Sequence, residues 1–190
     1  TDSVSADVAA VDGVPGVRVF ENITDVTDGD DVPPHNIEVV VSGGAVNEIA
    51  QAIWDSKAGG IGAHGDDSGT AVDANGNNQT VDFTRPTEIP LYLHITVTVN
   101  STVSLGPVYP TDGDTQIKDA ISAWGQDNLT IGSDLVLSQL YSVIFGISGV
   151  TDVTLIEADT SPAPTGTTNV VIGARELGTI DTTNIEVTSA

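Results

Sequence analysis

The sequence predicts an α+β fold: two small related α/β-sandwich modules, each a sheet with helices packed on one face, the first with an added β-hairpin. Three observations predict it. Runs that alternate apolar and polar residues interleave with runs whose apolar residues recur at helical spacing. Similar strand-to-helix and helix-to-strand junctions occur in both halves of the chain. An Asn75-Gly76 pair separates two strand-like stretches in the first half. The modules are expected at 1–86 and 87–190, divided beside Arg85-Pro86.

In the first module a helix opens the chain and turns through Gly13 into the strand VRVFENI (17–23). No strand precedes that helix, so upstream elements are expected to be missing. In 35–42, Ile37, Val39 and Val41 alternate with Asn36, Glu38 and Val40, the pattern of a half-buried strand. Gly43-Gly44 then makes a corner into 45–57, where Val46, Ile49, Ala50, Ile53 and Trp54 form one apolar stripe of a helix. Lys57 falls in its last turn, where the macrodipole favours a cation, and Gly59-Gly60 stops it. GTAVDA and NNQTVDF flank Asn75-Gly76 and predict a hairpin over 70–84 with a type I′ turn.

In the second module Leu91, Leu93, Ile95, Val97 and Val99 share one face of a strand over 91–99, and Tyr92, His94, Thr96 and Thr98 share the other. Helices are expected over 112–124, from Ile117, Ala120, Ile121 and Trp124, and over 134–145, from Leu137, Leu140, Tyr141 and Ile144. Ser133 is the expected cap of the latter. Gly149 turns it into the strand VTDVTLIEA (150–158), echoing Gly13, and NVVIGA (169–174) and NIEVT (184–188) read as a closing pair. Trp54 and Trp124 lie in register with their helices' apolar stripes and are read as packing groups.

The chain has 190 residues, 39% of them hydrophobic, enough to bury a core. Its 27 Asp and Glu face five cations, Arg18, Lys57, Arg85, Lys118 and Arg175, for a net charge of -22. Phosphate neutralisation needs clustered Lys and Arg, so this balance argues against nucleic acid and against an anionic membrane surface. Such a surface repels itself at ordinary ionic strength, whereas at molar salt the Debye length falls to about 3 Å. The composition therefore predicts a salt-loving host, a halophilic archaeon or its virus. Cysteine is absent, which removes disulfides and thiolate nucleophiles. No apolar run reaches about 18 residues, and the first residues lack the basic region of a signal peptide. Met is absent even at position 1, so the chain is read as processed or as a piece of something longer.

Reactive constellations are sparse. His35, His64 and His94 fall on separate segments without the spacing of a zinc pair. Asp73-x-Asn75-x-Asn77 opens like a calcium loop, but Gly76 stands at the fourth position and Thr84 occupies the place of the bidentate Glu, so a hairpin tip is the simpler reading. Asp28-Gly29-Asp30-Asp31 reads as a solvated acidic loop. Ser42 lies on the wrong side of Gly43-Gly44 for a nucleophile elbow, and the double glycine lacks a nearby cation for a phosphate loop. N-x-S/T sequons occur at Asn22, Asn78, Asn100 and Asn128. No catalytic, cofactor-binding or metal-binding residue is assigned, and no cofactor is expected.

The run PPHNIEVVVSGGAVNEIAQAIWDSKAGGIGAHGD, continuing through TVDFTRPTEIPLYLHITVTV, resembles the baseplate J-like proteins of contractile phage tails. The likeness continues through YPTDGDTQIKDAISAW, LTIGSDLVLSQLYSVIFGISGVTDV and IGARELGTIDTTNIEV, covering roughly residue 8 to 190. It implies the carboxy-terminal portion of a structural wedge component, assembling with other wedge subunits, with further copies of itself in a ring, and with the tail tube or hub. It implies location in the virion tail baseplate, assembled in the host cytoplasm, and transfers no catalytic residue. The acidity here exceeds that of a typical member.

A baseplate wedge protein is thus the first reading, with the polar face of 91–99 and the 70–84 hairpin as expected contact surfaces. An acidic secreted calcium-dependent binding or adhesion module is the second. A hydrolase using an Asp/Glu pair is the third.

Overall fold

The computed structural model describes residues 1–190. It is α+β, with four α-helices and several small sheets, and it divides into two compact units, Thr1–Thr87 and Glu88–Ala190.

The first unit runs α1 (Asp2–Ala9), β1 (Gly16–Asn22), β2 (Asn36–Ser42), α2 (Val46–Ser56), β3 (Gly62–His64), β4 (Asp67–Val72) and β5 (Asn78–Phe83). β2 is central, antiparallel to β1 and parallel to β3. Ile37, Val39 and Val41 pack with Val4 and Val8 of α1 and with Ile49, Ala50 and Ile53 of α2. The expected alternation of β2 is only half observed. Its second face is buried as well, with Val40 inaccessible and Glu38 5% exposed. A strand flanked on both edges and covered on both faces hides even its polar positions, and Thr84 Oγ1 donates to Glu38 Oε1 at 2.7 Å.

The hairpin β4–β5 lies against α2, and a Cβ added at Gly69 would stand 2.6 Å from Val46 O, so only glycine permits the approach. Its turn is not the expected type I′. Gly76 N–H donates to Asp73 O and Asp73 N–H to Asn77 O, both at 2.9 Å, and Gly76 has φ 83° while Asn75 keeps a negative φ. This is a type I turn closed by a glycine bulge, favoured because Asp73 Oδ1 accepts the N–H groups of Asn75 and Asn77 at 2.9 Å each.

The second unit begins within β6 (Thr87–Pro90) and continues through β7 (Tyr92–Val99), α3 (Gly113–Asn128), α4 (Leu137–Ile144), β8 (Val150–Asp159), β9 (Glu176–Thr179) and β10 (Ile185–Ser189). β7 is central, antiparallel to β8 and parallel to β10. Leu91, Leu93, Ile95 and Val97 pack with Ile117 and Ile121 of α3 and with Leu137, Leu140 and Ile144 of α4. Trp124 packs partly buried against this core and Trp54 against that of the first unit.

Several boundaries move. α3 runs past Gly125, because that glycine fits against Ile180, 3.2 Å from a would-be Cβ, instead of ending the helix. α4 starts three residues later than expected, since Leu135 is held by Val170 through paired backbone bonds of 3.0 and 3.1 Å. Ser133 is not its cap; Ser133 Oγ bonds within the preceding turn, and Asn169 Oδ1 accepts Leu137 N–H at 3.2 Å. Residues 169–174 make only that one bridge, so the expected closing pair does not form: β9 pairs with β6 and β10 with β7. α2 ends at Ser56, and Lys57 Nζ bonds Ile61 O at 2.9 Å and sits 4.7 Å from the Trp54 ring centre.

The two sheets share one design. In each, the central strand leads into a helix and is antiparallel to a strand that follows a helix and a glycine corner. The order along the chain differs: α1–β1 precedes β2–α2, whereas α4–β8 follows β7–α3.

Candidate functional site

The corner after β2 is held by polar bonds from a residue far along the chain. Gly43 and Gly44 have φ 64° and 71°, a conformation that side chains resist. Far along the chain, Arg85 reaches this corner. Its guanidinium donates to Val41 O at 3.1 Å, to Gly43 O and to Gly44 O at 3.2 Å, and lies 5.0 Å from the Phe83 ring centre. A cation does therefore approach the double glycine, contrary to the sequence expectation. It is spent on carbonyls, so the corner offers no anion site.

The remaining polar candidates are engaged locally. His35 Nε2 meets Asp25 Oδ1 at 3.0 Å on the surface, His94 Nδ1 meets Glu157 Oε2 at 2.9 Å, and His64 lies on β3. No group of three or more His, Asp or Glu is arranged to hold a metal. The Asp73 carboxylate accepts from the Asn77 N–H, the Gln79 and Asn77 side-chain amides and the Asn75 N–H, and the Asn77 N–H foremost holds its pKa below the ordinary range. Its lone pairs face donors that would oppose a cation. Asp28 Oδ1 likewise accepts from Asp30 and Val32 N–H at 2.9 and 3.0 Å.

Two of the sequons are structural. Asn22 is 3% exposed and donates both side-chain hydrogens, to Val26 O and Val32 O at 2.8 Å each, while its Oδ1 accepts Thr24 N–H. Asn100 repeats the device: Nδ2 donates to Pro107 O at 2.7 Å and Oδ1 accepts Thr102 N–H at 2.9 Å. In both, the threonine of N-x-T supplies an Asx turn that ends a strand. Asn78 and Asn128 are exposed.

Beyond these polar groups, the exposed surfaces of note are those left apolar. Of the expected contact surfaces, β4 is committed to α2 through Thr70 N–H on Asn47 Oδ1 and Val72 N–H on Gln51 Oε1, leaving the hairpin's tip outward. The polar face of β7 is half-buried and partly satisfied by Glu157. More exposed is the loop after Asn100, pinned at its base by Asn100 and carrying Val103 and Leu105 at 83% and 80% exposure. Tyr141 on α4 and Phe145, the residue that caps its end, are the exposed aromatics. The signal in the sequence was the absence of charge: neither 89–111 nor 135–151 contains Asp, Glu, Lys or Arg, in a chain of net charge -22.

No family model and no curated protein matches this chain. Among solved structures it is similar to a chain in the six-fold symmetrised cryo-EM structure of the anti-feeding prophage baseplate, with a TM-score of 0.55 and 12% sequence identity over 94% of this chain. It spans only 36% of that chain's length. At such identity the likeness is one of fold.

Proposed function

We propose that this chain is a non-catalytic structural component of a contractile-tail baseplate, a wedge subunit related to the baseplate J-like proteins. The observation that carries the reading is the fold shared over nearly its whole length with part of a baseplate chain. The sequence likeness of PPHNIEVVVSGG and the segments after it points to the same assembly. Its partners on this reading are other wedge subunits, further copies of itself in the ring, and tube or hub proteins. It acts in the virion tail baseplate after assembly in the host cytoplasm, and its acidity suits a hypersaline host. The calcium-dependent alternative gains no support from Asp73, whose oxygens already accept hydrogen bonds. The test is gold-labelled antibody against this chain on intact particles. Label at the distal tip of the tail is expected; label along the sheath, at the capsid, or only on soluble protein overturns the reading.

A further inference from the structure

A groove of about 340 Å³ lies between α4 and β8, lined by Leu137, Ser138 and Tyr141 on one side, by Thr154, Leu155 and Ile156 on the other, and by Thr167 and Asn169 of the segment that returns from β8. β8 is an edge strand, since the sheet order is β10–β7–β8. The returning segment makes one backbone hydrogen bond to that edge, where Ala158 N–H donates to Gly166 O at 2.8 Å. It then leaves to pair with Leu135 through Val170, and Asn169 caps α4. The divergence opens the groove beside 154–156, where an edge strand presents alternating N–H and C=O groups. An extended peptide laid there gains main-chain bonds from the strand and apolar contact from the helix.

Charge selects the occupant. The groove wall is uncharged, whereas β8 carries Asp152, Glu157 and Asp159 around its neutral centre Val153–Ile156, with no cation on the strand. Two copies paired through β8 would gather both sets of carboxylates in one ladder, which like-charge repulsion disfavours. We infer that the edge of β8 and the face of α4 accept, by strand addition, an extended segment of a different protein, apolar at its centre and basic at its ends. This deepens the assembly reading by naming the contact surface and the chemistry of the partner.

The probe is the capped hexapeptide lysine-threonine-valine-threonine-valine-lysine, titrated into the isolated chain in about 0.15 M KCl, with amide deuterium uptake followed by mass spectrometry. Expected are a dissociation constant of about 10–100 µM and slowed exchange confined to 153–157. Binding should weaken about tenfold when glutamates replace the peptide's lysines, and equally when the groove is plugged by Ser138→Trp or Thr167→Trp, both exposed positions. No slowing at about 1 mM peptide, or slowing elsewhere on the chain, overturns the inference. So does self-association that protects 153–157 without peptide, because a second copy would then be the occupant. Because the titration uses the isolated chain, its failure is distinguishable from failure of the particle labelling.

Discussion

Arg85 and Gly44 are joined by a hydrogen bond of 3.2 Å from Nη2 to the glycine carbonyl, and the same guanidinium also holds the carbonyls of Val41 and Gly43. One cation thus closes the corner at which the central strand of the first unit becomes α2. Charged donors to carbonyls contribute about 1.5–3 kcal/mol. Arg85→Ala should lower stability by about 2 kcal/mol in guanidinium unfolding, and Arg85→Lys should recover only part of it, since an ammonium lacks the planar fork. The Asp67 contact at 3.7 Å adds little, so Asp67→Asn should be near neutral.

The glycines of that corner are constrained from the other side. A Cβ at Gly44 would stand 2.4 Å from Val14 Cγ2 and 3.1 Å from Ile49 Cδ1. Left-handed strain and overpacking together should cost Gly44→Ala about 3 kcal/mol. Gly59→Ala, with open space around it and no positive φ, serves as the control, changing the unfolding midpoint little.

Asn22 offers a substitution that leaves size almost unchanged. Asn22→Asp would aim a carboxylate oxygen at the Val26 and Val32 carbonyls in place of two donors and should cost about 3 kcal/mol, whereas Asn75→Asp at the exposed tip should fall within about 0.5 kcal/mol. For the same reason, peptide mapping should find Asn22 and Asn100 unglycosylated in folded material.

Alkaline pH should weaken the second unit through Tyr109. Burial first, and then the Asp114 carboxylate that accepts its hydroxyl at 2.7 Å, raise its pKa above the ordinary 10.0. The folded state therefore keeps the proton while the unfolded chain loses it, so this contribution is full below pH 10 and declines as pH rises beyond it. Tyr109→Phe should flatten the loss of stability above that pH, read by thermal unfolding across an alkaline series.

The net charge of -22 sets the salt response. Raising KCl from about 0.1 M to about 3 M should screen the self-repulsion and lift Tm by roughly 10 °C in circular dichroism. Equal Tm at both salt concentrations would remove the case for a hypersaline host.

Periodicity exposed the skeleton because burial imposes it. The inward sets of β7, α2 and α3 are legible as spacing, and Gly43-Gly44 as a corner. What stayed hidden depends on partners distant in sequence. Arg85 lies 41 positions beyond Gly44, Asn169 caps a helix 32 positions before it, and Gly125 answers to Ile180 instead of ending α3. At Val40 and Glu38 tertiary cover overrode a strand pattern that looked half-exposed. The exposed apolar surfaces were legible only as stretches without charge, because nothing local distinguishes an apolar residue left on the surface from one destined for the core.

The assembly claim is tested most directly by cryo-electron microscopy of intact particles at a resolution that traces the backbone. The account expects density for both units, with the β7 and β2 sheets and their helices, in the ring at the distal end of the tail. Particles whose baseplate is complete without this chain, or that carry it elsewhere, would contradict it.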